Sequence, residues 1–225
     1  MPVRACVAVD VRLEISPGNS RILAAAVDVR APVDVVWECL TDYERLHEFI
    51  PGLVVNECLE RREKGALLKQ VGEQDVAMGL KFCARAVLEV AEHLTGLADN
   101  LCWELSGPNA LEPTSCTMWD ESLGLYPCAH GIEHGRRPRD ISFNMVDGDF
   151  QDFRGLWRMQ GDEEDPDHTR LSYSVFVRPQ KWLPVALIER RIVRESRKNL
   201  VAVGKHAQNL SAARSEFMSS SGATS

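Results

Sequence analysis

Few residues in this chain are spaced for chemistry of their own. Cys128, His130 and His134, with Cys116 upstream, are soft ligands at short spacing, and four such groups can hold zinc. Their intervals follow no zinc pattern, so they read as loop residues without a metal. Asp147, Asp149 and Asp152 are clustered acids, but they lack the glycine and the twelfth-position glutamate of a calcium loop and read as hairpin polarity. Tyr173 or His93 could exchange a proton with an enolisable substrate, although a structural tyrosine and a strand-end histidine are the simpler account. The motifs GxSxG, GxxxxGK[ST], GxGxxG and HExxH are missing. No catalytic residue, metal ligand or cofactor is assigned, and enzymatic activity is the less favoured reading.

What remains is volume. If a long helix lies across a curved sheet, the inward strand positions are Phe82, Ala84, Ala86, Leu88, Phe143, Met145, Gly155, Trp157, Met159, Tyr173 and Val175, facing Ile188 and Ile192 of the helix. Natural cores fill to a density of about 0.74. Ala84, Ala86 and Gly155 opposite Ser196 and Asn199 leave space for an apolar ligand, unless they merely let the helix pack closer.

The elements that would position these residues are legible from periodicity. Val7, Val9, Val11, Leu13 and Ile15 alternate with polar residues or alanine, as in a half-buried strand. A turn at Ser16 to Asn19 leads into a second strand, Arg21 to Arg30, with Leu23, Ala25, Val27 and Val29 on one face. Pro32 suits a first helical position, and Val33, Val36, Trp37 and Leu40 form one apolar stripe. Thr41 and Glu44 have the spacing of a capping box and predict a second short helix, with Tyr43, Leu46, Phe49 and Ile50 buried.

Further strands are predicted near Leu53 to Arg62, Ala66 to Gln74, Leu80 to Glu92, Asp140 to Asp147, Phe150 to Gln160 and Thr169 to Arg178. The one from Leu80 would be about 40 Å long at roughly 3.3 Å per residue, long enough to bend around something. In the last, Arg170, Ser172, Ser174 and Arg178 face away from Leu171, Tyr173 and Val175. After Pro184, Val185, Ile188, Ile192, Ser196, Asn199, Val203 and Ala207 recur at helical spacing over about 25 residues, roughly 37 Å. Residues 211–225 read as a disordered tail, and Thr95 to Pro138, rich in proline and glycine, as an atypical insertion or lid.

The whole chain has 225 residues, 44% apolar and 26% charged, material for one domain. No apolar stretch approaches the roughly 20 residues needed to cross a bilayer. A net charge of −7 argues against nucleic acid as a partner. The exception is Pro184 to Leu210, where six basic residues and two acidic ones give +4. Seven scattered cysteines without a CxxC pair read as reduced thiols. The N-terminus has neither a signal core nor transit-peptide composition, so the chain is expected to be either not imported or already trimmed.

Three blocks carry a resemblance: APVDVVWECLTDYERLHEFIPGL (Ala31 to Leu53), VDGDFQDFRGLWRM (Val146 to Met159) and YSVFVRPQKWLPVALIERRI (Tyr173 to Ile192). In this order they resemble the polyketide cyclase/coenzyme Q-binding START family of the START-like (SRPBCC) superfamily, particularly its plant and algal plastid members, over roughly Arg21 to Gln208. The resemblance implies an α+β helix-grip fold: about seven antiparallel strands curved around a long C-terminal helix, with two short helices after the first core strand. Residues 1–20 would add one extra strand, and residues 21–210 would form the START-like domain. In the family the strand ending near His93 usually reaches the one starting near Ile141 by a short connection, so Thr95 to Pro138 departs from the pattern.

The resemblance also implies a cavity rather than a fixed catalytic constellation. The expected function is a carrier for an isoprenoid, quinone, pigment or other lipid, in the plastid (otherwise the cytoplasm), with a cyclase or aromatase-like enzyme and a ligandless assembly factor as the other readings. Trp182 and Leu183, beside the cations Arg190, Arg191 and Arg194, form a candidate greasy tip for peripheral contact with an anionic membrane. The other account is a buried tryptophan beside a solvated helix face.

Overall fold

The computed structural model describes residues 9–16, 18–77, 80–97, 138–162, 164–181 and 185–221. The expected strands all form: β1 (Val9–Ser16), β2 (Ser20–Val29), β3 (Leu53–Arg62), β4 (Gly65–Ala77), β5 (Leu80–His93), β6 (Arg139–Gly148), β7 (Phe150–Gly161) and β8 (Thr169–Pro179). They make one antiparallel sheet in the order β1-β2-β8-β7-β6-β5-β4-β3, with the extra N-terminal strand at one edge. The helices are α1 (Val33–Thr41), α2 (Leu46–Phe49) and α3 (Val185–Ser221).

Three local expectations change. Thr41 does not cap a new helix: its hydroxyl donates to the Trp37 carbonyl at 2.9 Å, inside α1. A turn then intervenes, and α2 starts at Leu46 after Arg45, with no side-chain cap. Pro32 sits one position earlier than expected, as the N-cap of α1, with φ −59° and ψ 152°. Finally, α3 continues to Ser221 over 37 residues, so 211–221 carry helical backbone where a disordered tail was expected.

Helix α3 does not lie evenly on the sheet. It packs chiefly against β2, with lesser contact to β1 and β8, and against α1. The helix and β2 come close at Gly204, where an added Cβ would stand 3.3 Å from Val29 Cγ2. Around it Leu200, Val203 and Ala207 are fully buried against Leu23, Ala25, Val27 and Val29. The first turns are tied to the same strand, since Arg21 Nε donates to Glu189 Oε1 at 2.6 Å.

The pairings β1–β2, β2–β8 and β6–β7 run without interruption. Register shifts fall instead on β3–β4, β4–β5, β5–β6 and β7–β8. Each extra residue bends its strand and raises the local twist. The strands that hold the helix, β1, β2 and β8, are thus joined to one another by regular pairings, while the bends fall on the pairings of β3 to β6 and on β7–β8.

The outward face of the sheet is not the solvated surface that alternation suggests. Ile22, Ala24, Ala26, Leu156, Ser172, Ser174 and Phe176 are all buried there, and the Arg154 and Arg178 guanidinium groups stand over the Phe176 ring. Asp140 and Arg158, also outward-facing, form a fully buried two-point ion pair, Nε to Oδ1 at 2.8 Å and Nη2 to Oδ2 at 2.7 Å. Leu97, near the start of the atypical segment, donates its N–H to Asp140 Oδ2 at 2.7 Å and accepts from Arg158 at 3.1 Å. The segment's remaining residues up to 137, with Cys116, Cys128, His130 and His134, lie outside the described residues.

Candidate functional site

Between α3 and the curled strands lies a cavity of about 320 Å³. Of the residues expected to line it, Ala84, Ala86, Leu88, Phe143, Trp157, Tyr173, Val175 and Ile192 do so, as do Ser196 and Asn199. The alternation of β5, β6, β7 and β8 puts these side chains on the face that α3 covers, because partners across each ladder share a face.

Three expected lining residues do not reach the cavity. Met159 is fully buried at the end of the core beside Leu171, with which it pairs. Met145 packs on the core with its sulfur directed at Gly148, 2.6 Å from where a Cβ would stand. Gly155, expected to leave empty space, is crossed by the Phe143 ring: an added Cβ would lie 2.8 Å from Phe143 Cζ and 2.0 Å from the Ser174 carbonyl oxygen. There the small residue serves packing. The Phe82 and Ile188 side chains, and the whole of Trp182 and Leu183, lie outside the described residues.

Sequence reading missed the other wall. Leu40 of α1, Tyr43, Leu46 of α2 and the turn Ile50 to Leu53 close one side, and Leu68, Gln70 and Gly72 of β4 another. Leu68 and Gln70 pair with Leu88 and Ala86, so the register with β5 was the signal that would have found them. Pro51, Gly52 and Gly72 are the exposed lining residues, and with the half-buried Ile50, Leu53, Phe150, Arg191 and Glu195 they form the mouth.

Arg191, expected at a membrane-facing entrance, lines the cavity half-buried, with its pKa lowered first by desolvation and then by Arg194. Arg190 and Arg194 are exposed outside the cavity. The Glu195 carboxylate accepts from Arg194 at 3.2 Å and from Lys198 at 3.1 Å.

Inside, the walls are apolar with a few neutral polar groups. Phe143 stacks on Tyr173 at 5.9 Å between ring centroids, and Trp157 tilts against Tyr173 at 4.3 Å. Burial pushes the Tyr173 phenol well above its ordinary pKa, so it stays protonated. The second tyrosine, Tyr43, is engaged: its hydroxyl donates to Glu92 Oε1 at 2.9 Å, and Arg61 lies 4.5 Å over its ring. Its pKa is raised, chiefly by burial and then by the Glu92 charge. Gln70 donates to Asn56 Oδ1 at 3.0 Å, and Asn56 donates to the Tyr43 carbonyl at 2.6 Å, which fixes β3 and β4 against the turn before α2.

His93, the other candidate proton carrier, is not in the cavity. It pairs with Asp140 across the sheet, faces outward, and shares a 2.9 Å hydrogen bond with the Ser142 hydroxyl. Burial, opposed by Asp140, lowers its pKa. Above about pH 6.5 the folded and unfolded states both hold it neutral. Below that value the unfolded chain takes up a proton that the folded one resists, so stability falls until pH reaches the lowered folded pKa. Urea midpoints of the wild type should therefore decline more steeply below pH 6.5 than those of His93→Gln.

The acids of the β6–β7 hairpin are paired. Asp147 meets Arg85 at 2.5 Å, Asp149 accepts the Arg85 backbone N–H at 2.7 Å, and Asp152 meets Arg154. The described cysteines, Cys39, Cys58 and Cys83, are free thiols. Burial pushes the Cys39 thiol up to about 11, which keeps it unreactive.

A family model described as polyketide cyclase / dehydrase and lipid transport matches residues 29–203. Among solved structures, a STAR-related lipid transfer protein from Xanthomonas axonopodis superposes with a TM-score of 0.59 at 13% identity, covering 89% of this chain and 93% of that one. The lipid transfer and protein localization domain of human StarD13 gives 0.57 at 11%, covering 92% and 87%. The Zhui aromatase/cyclase from a Streptomyces species gives 0.55 at 18%, covering 84% and 94%. At such identities these are likenesses of fold. No curated protein matches the chain in sequence. A family match that spans both short helices, strands β3 to β8 and α3 as far as Val203 means that the chain belongs to the polyketide cyclase / dehydrase and lipid transport family.

Proposed function

We propose that this protein is a carrier that holds one apolar small molecule between α3 and the curled strands. The observation that carries this reading is the cavity itself: about 320 Å³ walled mainly by Leu, Ile, Val and aromatic side chains. That is the lower end of ligand-pocket volumes and suits a ring system or a single chain rather than a two-chain lipid. Within that limit the candidates are an isoprenoid, a quinone headgroup as in the coenzyme Q-binding members, a pigment, or a single-chain lipid. Native mass spectrometry of protein purified from its own source tests it. A co-purifying apolar mass is expected, and a bare chain that also takes up no apolar probe would overturn the reading in favour of a ligandless assembly role.

The same reading extends to membranes and compartment. The positive excess around α3 supports delivery at an anionic surface, with Trp182 as the inserting residue. Trp182→Ala should then lower association with vesicles containing anionic lipid several-fold at low salt, read by cosedimentation, and equal binding would remove the membrane step. The resemblance to plastid members supports a plastid location, checked by imaging a tagged full-length protein.

A cyclase-like enzyme is the second reading, favoured by one observation: Tyr173 lines the cavity and its hydroxyl has no protein hydrogen-bond partner among the described residues. Its high pKa suits a proton donor rather than a base. Tyr173→Phe should abolish turnover if that reading holds, and a variant as active as wild type on an identified substrate would end it.

A further inference from the structure

Of the neutral polar residues that line the cavity, Tyr43 and Gln70 are hydrogen-bonded and three others are short of partners. Asn199 Oδ1 is buried without a hydrogen-bond partner. Ser196, three residues earlier on α3, is buried against the same cavity, and its hydroxyl makes no protein hydrogen bond among the described residues. Tyr173, half-buried on β8, lines the same cavity, and its hydroxyl likewise makes no protein hydrogen bond among the described residues. An unpaired buried acceptor is costly to the empty protein, and such groups persist where something else completes them. The terminal amide of asparagine turns freely about χ2, so Asn199 can meet a partner arriving from the cavity side.

We propose that α3 and β8 select a neutral ligand bearing a hydroxyl or carbonyl, anchored by Asn199, Ser196 and Tyr173, over a hydrocarbon or an acid of the same size. This rests on the carrier reading above. Charge is excluded from the interior because the ionic lining groups, Arg191 and Glu195, stand at the mouth, where a carboxylate would have to remain half in water. A pure hydrocarbon fills the apolar walls but leaves the three polar groups as they are. An alcohol or ketone fills the same walls and completes at least one of them, which favours it over the hydrocarbon by about tenfold if one to two net hydrogen bonds are gained.

Three rigid fluorescent probes of nearly equal shape separate the cases: naphthalene, 2-naphthol and 2-naphthoate, titrated at neutral pH where the naphthol is uncharged. The wild type should bind 2-naphthol about tenfold more tightly than naphthalene, and 2-naphthoate most weakly. In Asn199→Leu and in Tyr173→Phe the naphthol preference should fall several-fold towards unity while naphthalene binding is kept. Ligand-free Asn199→Leu should melt at the wild-type temperature or above, because the unpaired acceptor is gone. If Asn199→Leu fails to fold, Tyr173→Phe alone decides. A naphthol preference that survives in both variants, or a naphthoate that binds most tightly, overturns the selection while leaving a carrier. A wild type that binds none of the three overturns both.

Discussion

Replacing Asp140 by Asn should cost about 3–5 kcal/mol of folding stability, the range for removing one partner of a buried ion pair. Both side chains are shielded, Asp140 at 0% and Arg158 at 2% exposure. The two-point geometry gives Arg158 its counter-charge, and the Leu97 N–H uses an oxygen of the same carboxylate. Asparagine keeps the shape but not the charge, and its NH2 would face the guanidinium's own donors or the Leu97 N–H. The buried guanidinium then loses the Asp140 charge, and total stabilities of about 5–15 kcal/mol leave little room for such a loss. Urea unfolding followed by tryptophan fluorescence measures it. The paired substitution Asp140→Leu with Arg158→Met should recover much of the deficit, since it removes both charges. A single-variant loss under about 1 kcal/mol would show that the pair is solvated in solution.

The second large effect is on ligand uptake. Gly72 faces the cavity from β4 between Leu53 and Ala84, and a Cβ built there meets nothing nearer than the Gly52 carbonyl oxygen at 4.0 Å. Its backbone is not in the left-handed region, so a larger residue fits without strain. Gly72→Leu should place an isobutyl group in the cavity and keep or raise stability, because the unfolded chain loses freedom. Displacing roughly 100 Å² of ligand contact at about 25 cal/mol per Å² costs about 2.5 kcal/mol, a roughly 60-fold loss of affinity. Titration with 2-naphthol beside a thermal melt reads both quantities. Undiminished affinity in a folded variant would place the binding site elsewhere.

The sequence by itself determined the elements and the faces. Period-two alternation in Leu80 to His93 and Thr169 to Val177 is dictated by the pleat, so the inward positions of β5 and β8 were legible, and with them Ala84, Ala86, Tyr173 and Val175. The helical spacing of Ile192, Ser196 and Asn199 likewise set which side of α3 meets the sheet. Strand boundaries came within three residues because Gly, Pro and Asp punctuate them. Helix ends did not: Thr41 satisfied its hydroxyl inside α1, and the polar residues after Ser211 continued a helix that periodicity alone would have ended.

Tertiary structure decided which small residues are hollow and which are filled. Ala84, Gly72 and Gly155 look alike in sequence, yet Phe143 covers the last, while the first two stay open because the register shifts of β3, β4 and β5 carry those strands away from α3. It also decided that Ser172, Ser174 and Arg158, polar and outward by alternation, are buried, and that His93 is a strand-end residue facing away from the cavity. Alternation fixes a side chain's face within its own strand. Which face is covered, and how closely, depends on the curvature of eight strands and the landing point of one helix, and those are set by contacts between residues more than a hundred positions apart, such as Val29 with Gly204 and Arg21 with Glu189.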